Sequence, residues 1–159
     1  MTAITPDPLD RTSDPLDRAS DASAAAGDRR TIVELDRREC EQLLAEALVG
    51  RIGFNFAGHP VILPVTFRFF DGEIIFRTGK GQKLHAVAAD KPVAFEVDKW
   101  DAWEHKGWSV LVLGTASEII DYEDFMEAEE LNLQPWADSA DQDRWVRITP
   151  GKMTGRRLE

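Results

Sequence analysis

The chain reads as a mainly β domain with peripheral helices, folded as an antiparallel barrel of six to seven short strands. Three observations carry that reading. Apolar residues recur with period two after residue 50, most clearly at Val61, Leu63, Val65, Phe67 and Phe69. Turn chemistry punctuates these runs at Ala57-Gly58-His59-Pro60 and at Asp71-Gly72. Helical spacing is confined to short stretches near residues 37–48, 82–89 and 122–131.

Residues 1 to about 30 differ from the rest. Asp7-Pro8-Leu9-Asp10-Arg11 recurs as Asp14-Pro15-Leu16-Asp17-Arg18, and a Ser/Ala/Asp tract runs on to Asp28. So few large apolar residues cannot offset the entropy of ordering the segment, so it is expected to be a disordered acidic tail ahead of a domain over 31–159. Deleting residues 1–30 is expected to leave the melting temperature unchanged in differential scanning calorimetry. A fall of several degrees would show that the tail packs on the body.

Asp36-Arg37-Arg38-Glu39 has the form of a capping box. Cys40, Leu43, Leu44, Ala47 and Leu48 then form one apolar helical stripe, which Gly50 is expected to end. Cys40 lies on that stripe, which makes it a core residue rather than a nucleophile. Strands follow at 51–56, 61–69 and 73–78. After the helix at 82–89 come strands at 92–98 and 108–120, a helix at 122–131, and strands at 144–149 and 152–158. Pro64 interrupts its strand. A proline cannot donate to a ladder, so it belongs on an edge or a bulge, where the neighbouring backbone is free to face a ligand.

The chain has 159 residues, with 29 acidic against 19 basic side chains and a formal charge of -10, which argues against a nucleic-acid or anionic-membrane surface. The acid run at Glu118, Asp121, Glu123, Asp124, Glu127, Glu129 and Glu130 reads as a solvated helix face. No basic start leads into an apolar run, and no apolar stretch approaches the ~20 residues of a membrane span, so a cytoplasmic protein is expected. The single cysteine fits that reducing compartment. His59, His85 and His105 lack ligand spacing, so no metal site is expected. Neither a Gly-x-Ser-x-Gly elbow nor a Rossmann fingerprint occurs, so a nicotinamide would be a visiting reductant.

Against this acidic background, Leu63 to Lys83 gathers Arg68, Arg77, Lys80 and Lys83 around a glycine-punctuated loop, Gly79-Lys80-Gly81, that opens a helix. Backbone N–H groups at such a helix start, the Thr78 hydroxyl and a lysine suit a phosphate-bearing ligand. The bland alternatives are an Arg77–Glu73 ion pair along the strand and Thr78 capping the next turn.

Several segments in order resemble the pyridoxamine 5'-phosphate oxidase-like family of FMN-binding split barrels. They are Gly50-Arg51-Ile52-Gly53-Phe54, Pro60 to Phe67, Phe76-Arg77-Thr78 with Gly81-Gln82-Lys83, Val93 to Asp98, Trp108-Ser109-Val110 with Gly114, and Ile148-Thr149-Pro150 with Thr154-Gly155-Arg156-Arg157. The resemblance implies that Pro64, Val65, Thr66 and Phe67 line the isoalloxazine edge, largely through backbone. Arg77, Thr78, Gln82 and Lys83 would hold the ribityl phosphate, and Ser109 would meet the flavin. It also implies a homodimer with FMN at the interface, where Trp108 and Arg156 or Arg157 contribute across it. The implied activity is oxidoreduction of a small organic molecule through the flavin N5. The chain's end, Met153-Thr154-Gly155-Arg156-Arg157-Leu158-Glu159, lacks the histidine that accompanies vitamin B6 oxidation in that family. Two other readings stay open: a deazaflavin in place of FMN on the same fold, and a non-catalytic flavin or haem binder.

Overall fold

The computed structural model describes residues 31–79, 89–134 and 144–159. The expected tail lies outside these residues, as does the expected helix at 82–89 apart from Ala89, which instead opens a strand. The elements are β1 (Ile32–Leu35), α1 (Arg37–Glu46), β2 (Val49–Phe56), β3 (His59–Phe70), β4 (Glu73–Thr78), β5 (Ala89–Asp101), β6 (Lys106–Glu118), α2 (Tyr122–Glu130) and β7 (Arg144–Leu158).

The strands form one antiparallel sheet in the order β1-β7-β4-β3-β2-β5-β6, and a further β6–β7 pairing closes six of them into a barrel. The two tight hairpins behave as their sequences demand. Ala57-Gly58 joins β2 to β3 and Asp71-Gly72 joins β3 to β4, with both residues of each pair at positive φ. Inside, Ile52, Phe67, Phe76, Phe95, Val110, Val112, Val146 and Ile148 are fully buried, which bears out the period-two reading. Phe67 and Phe95 meet edge to face at 4.8 Å, an arrangement that aligns one ring's positive edge with the other's negative face.

The capping box forms as expected. Glu39 N–H donates to Asp36 Oδ1 at 2.8 Å and Asp36 N–H to Glu39 Oε2 at 3.0 Å. The helix stops earlier than the apolar stripe predicts, because Ala47 is already extended and Leu48 is 61% exposed. Gly50 therefore does not end the helix; it is a buried residue of β2. Its missing Cβ makes room for Phe95, whose ring tip would lie 2.2 Å from that carbon. Cys40 is buried beside Gly155, and burial pushes its thiol pKa up, as befits a core residue.

Two further differences have physical causes. β1 escapes sequence reading because it is short and does not alternate; pairing with β7 from Ile32↔Leu158 to Leu35↔Gly155 holds it in place. The two strands expected at 144–149 and 152–158 are one strand. Leu113 pairs with Lys152 and Gly114 with Pro150, so Gly151 is an extra residue absorbed as a bulge. Gly114 permits that bulge, since a Cβ there would lie 2.5 Å from the Thr149 carbonyl oxygen. Among the described residues no helix is long and apolar enough to cross a membrane.

Candidate functional site

β3 and β4 form a ladder only from Phe67↔Phe76 to Phe70↔Glu73. β4 pairs with β7 from Ile74 to Thr78, and beyond Phe76 it keeps that partner alone, with Arg77 opposite Trp145 and Thr78 opposite Arg144. β3 meanwhile stays with β2, where Pro64 faces Arg51 and Thr66 faces Val49. The barrel wall thus opens between two groups of expected site residues, Pro64 to Thr66 on one side and Arg77 with Thr78 on the other. Pro64 sits where the proline rule places it, on a stretch of strand paired along one side among the described residues.

Alternation decides what each residue can offer at this opening. Val65 and Phe67 point inward and are buried, and their backbone faces β2, where the Phe67 N–H donates to the Leu48 carbonyl at 3.1 Å. The expected contact of these two residues with a ligand is therefore not brought to the opening, and the backbone that faces it is that of Pro64 and Thr66. Pro64 is exposed, and the half-buried Thr66 donates its hydroxyl to the Gln134 carbonyl oxygen at 2.6 Å. Thr78 Oγ1 reaches the Gly79 carbonyl at 3.4 Å. Gln82 and Lys83 lie outside the described residues and follow directly in the chain.

Arg77 is held on the outer face. Its guanidinium lies 5.5 Å from the Trp145 ring centroid, and Nη2 is 3.9 Å from Glu129 Oε1. The Trp145 indole N–H donates to the same carboxylate oxygen at 2.7 Å. Glu73, the partner in the alternative reading of Arg77, receives Arg147 at 3.4 Å and the Thr149 hydroxyl at 2.6 Å. Asp124 also pairs with Arg147, and Glu118 with Arg144 at 2.9 Å. The acid run is therefore not merely a solvated face: Asp124 and Glu129 fasten α2 to β7, and Glu118 ties the end of β6 to the same strand. Nothing in the local spacing of these acids gives this away, since their partners lie at least 16 residues on.

Ser109 is not brought to the opening within one chain. It lies on β6, between Asp98 of β5 and Arg156 of β7. β2 and β5 separate it from β3, and β7 separates it from β4. Trp108 and Arg157 do come together, opposite one another across β6 and β7, in an open cleft of about 430 Å³. Arg156 alternates to the other face.

On the outer face between these regions, Arg51 pairs with Glu96 at 3.0 Å and with Asp98. Burial, then the Asp98 charge, pushes the Glu96 carboxyl up despite the guanidinium. A carboxyl raised in the folded state disfavours folding once ionised. That cost is absent below the unfolded pKa and complete above the folded one. Glu96→Gln is therefore expected to raise stability at neutral pH, by no more than about 1 kcal/mol at this half-exposed site. The gain should vanish as pH falls toward about 4. Melting curves of both proteins across that range check the sign.

Similarity to known proteins agrees with this arrangement. The profile of the pyridoxamine 5'-phosphate oxidase family matches residues 36–157, and the chain belongs to that family. An uncharacterized protein of Mycobacterium tuberculosis is 39% identical over 140 residues, covering 85% of this chain and 91% of its own length. The solved FAD binding protein from Mycobacterium smegmatis is 35% identical with a TM-score of 0.69, over 80% of this chain and all (100%) of that one. A FAD-binding protein from Mesorhizobium loti shares the fold at 21% identity and a TM-score of 0.70, over 82% of this chain and 99% of its own. The split-barrel fold is thereby established.

Proposed function

We propose that this chain is a flavin-binding oxidoreductase that holds FMN at the β3–β4 opening and acts on a small organic molecule in the cytoplasm. The observation that carries the reading is the opening itself. Backbone of Pro64 to Thr66 is left without a β4 partner beside the end of a strand that leads into Gly79-Lys80-Gly81-Gln82-Lys83. The Thr66 N–H and the Pro64 and Thr66 carbonyls face away from β2 and offer one donor and two acceptors to an isoalloxazine edge. The FAD binding protein from Mycobacterium smegmatis, which covers most of this chain, supports a flavin as the ligand class.

When bound, a flavin supplies the electron chemistry, and the protein supplies position, electrostatics and exclusion of water. Backbone of Pro64 and Thr66 would orient the ring, with the buried Val65 and Phe67 side chains fixing that strand. Thr78, Gln82 and Lys83 would hold the phosphate, with Arg77 beside them adding positive potential from its place on Trp145. Ser109 lies too far around the barrel to join them in one chain, so its role needs a second copy. Multi-angle light scattering is expected to give a dimer mass at micromolar concentration; a monomer would remove Ser109 from the site.

Titration of the apoprotein with FMN, followed by flavin fluorescence, tests the ligand. FMN should bind stoichiometrically, and riboflavin, which lacks the phosphate, should bind much more weakly. Equal affinity for the two would overturn the phosphate assignment, and no binding of either would overturn the function.

A further inference from the structure

We infer that Glu129, in the last turn of α2, is a positioning residue for the phosphate end of the proposed flavin site, an inference that rests on the flavin reading above. Its carboxylate fixes the Trp145 indole, and the indole in turn carries Arg77. Arg77 and Trp145 stand opposite one another in the β4–β7 ladder, so their side chains leave the sheet on one face. The guanidinium carbon lies 5.5 Å from the indole centroid, within reach of a cation–π contact. A guanidinium resting on a ring follows that ring, so the orientation of Trp145 sets the place of Arg77.

The ring is fixed at its polar edge. Trp145 is 2% exposed, and its N–H donates to Glu129 Oε1 at 2.7 Å. The same oxygen is 3.9 Å from Arg77 Nη2, too far for a hydrogen bond yet close enough to attract the charge. One carboxylate oxygen thus holds the indole by a short hydrogen bond and the guanidinium by a weaker Coulombic pull.

Glu129 is in turn held by its own backbone. Asn132, at a φ of 46°, ends the helix, and its N–H donates to the Glu129 carbonyl oxygen at 3.2 Å. Ala128 and Leu133, on either side, are buried. A carboxylate in the last turn of a helix faces the negative end of the helix dipole, which disfavours it there. α2 contains no basic residue, so compensation comes from the indole of β7 and the guanidinium of β4. Five residues on, the Gln134 carbonyl oxygen accepts from the Thr66 hydroxyl at 2.6 Å. One short stretch after α2 therefore reaches both edges of the opening, β4 through Glu129 and β3 through Gln134.

Titration of the full chain with FMN and with riboflavin, read by flavin fluorescence, tests the role. Glu129→Ala is expected to weaken FMN about tenfold and to leave riboflavin unchanged, because the displaced guanidinium serves the phosphate alone. Trp145→Phe, which keeps a ring and removes its N–H, should show the same pattern. Glu129→Gln keeps an oxygen for the indole N–H and loses only a half-exposed charge, so FMN affinity should return to within about twofold of the parent. Asp124→Ala cuts another tie of α2, the one to Arg147, and should lower the melting temperature without changing the FMN-to-riboflavin ratio. In an Arg77→Ala background, Glu129→Ala should cost no further FMN affinity. Full FMN affinity in Glu129→Ala or Trp145→Phe, an equal loss for riboflavin, or a Gln variant as weak as the Ala one would overturn the positioning role. So would the same change of ratio in Asp124→Ala, or a further loss in the Arg77→Ala background. In each of these cases the parent still binds FMN and the flavin reading stands; a parent that binds no flavin overturns that reading and the inference with it.

Discussion

Gly50→Ala is expected to cost about 3 kcal/mol of stability, a large share of what a domain of this size holds in reserve. The added methyl carbon would stand 2.2 Å from the tip of the Phe95 ring, well inside van der Waals contact. Phe95 cannot step aside, because it is fully buried and its ring meets Phe67 edge to face at 4.8 Å. Relief must come from moving β2 against β5, which the Ile52↔Phe95 pairing resists. In Gly50→Ala with Phe95→Leu, the shorter side chain vacates the contested space, so the two losses should be clearly less than additive. Urea denaturation of the four proteins measures this. An unchanged midpoint for Gly50→Ala, or strict additivity in the double variant, would mean that the glycine is not making room for the ring.

Lys83→Ala is expected to weaken FMN binding about ten- to a hundredfold while leaving the melting temperature of the apoprotein unchanged. A phosphate dianion must be neutralised locally by a chain whose formal charge is -10. Lys83 follows Gly79-Lys80-Gly81-Gln82 in the sequence, and glycines permit backbone N–H groups to turn toward an anion. A charge-assisted hydrogen bond is worth roughly 1.5–3 kcal/mol, which sets the expected loss. Lys80→Ala should matter less, and riboflavin should bind parent and Lys83→Ala alike. Full FMN affinity in Lys83→Ala combined with a loss in Lys80→Ala would mean that the phosphate site is displaced along the chain.

Much of the fold was legible because burial imposes a strict period on strands. The face of Val61, Leu63, Val65, Phe67 and Phe69 could be assigned without coordinates, and both glycine hairpins announced themselves. What escaped depends on partners distant in sequence. β1 has no pattern of its own and exists because β7 offers it an edge. Pro150-Gly151 reads as a turn locally, yet Gly114 on the neighbouring strand lets it pass as a bulge. Gly50 looked like a helix stop, whereas its meaning lies in Phe95, on a strand that follows much later. At the candidate site, Pro64 announced a half-free strand because proline chemistry is local. The fastening of α2 by Asp124 and Glu129 did not, because an acid seen in sequence looks the same whether it meets water or Arg147.

The most direct measurement of the central claim is mass spectrometry of the small molecule released when protein purified from its native host is denatured, paired with the absorption spectrum before release. The account predicts a flavin spectrum and the mass of a flavin that carries phosphate, near one per chain. A haem, a deazaflavin, or an empty protein that fails to take up FMN would contradict it.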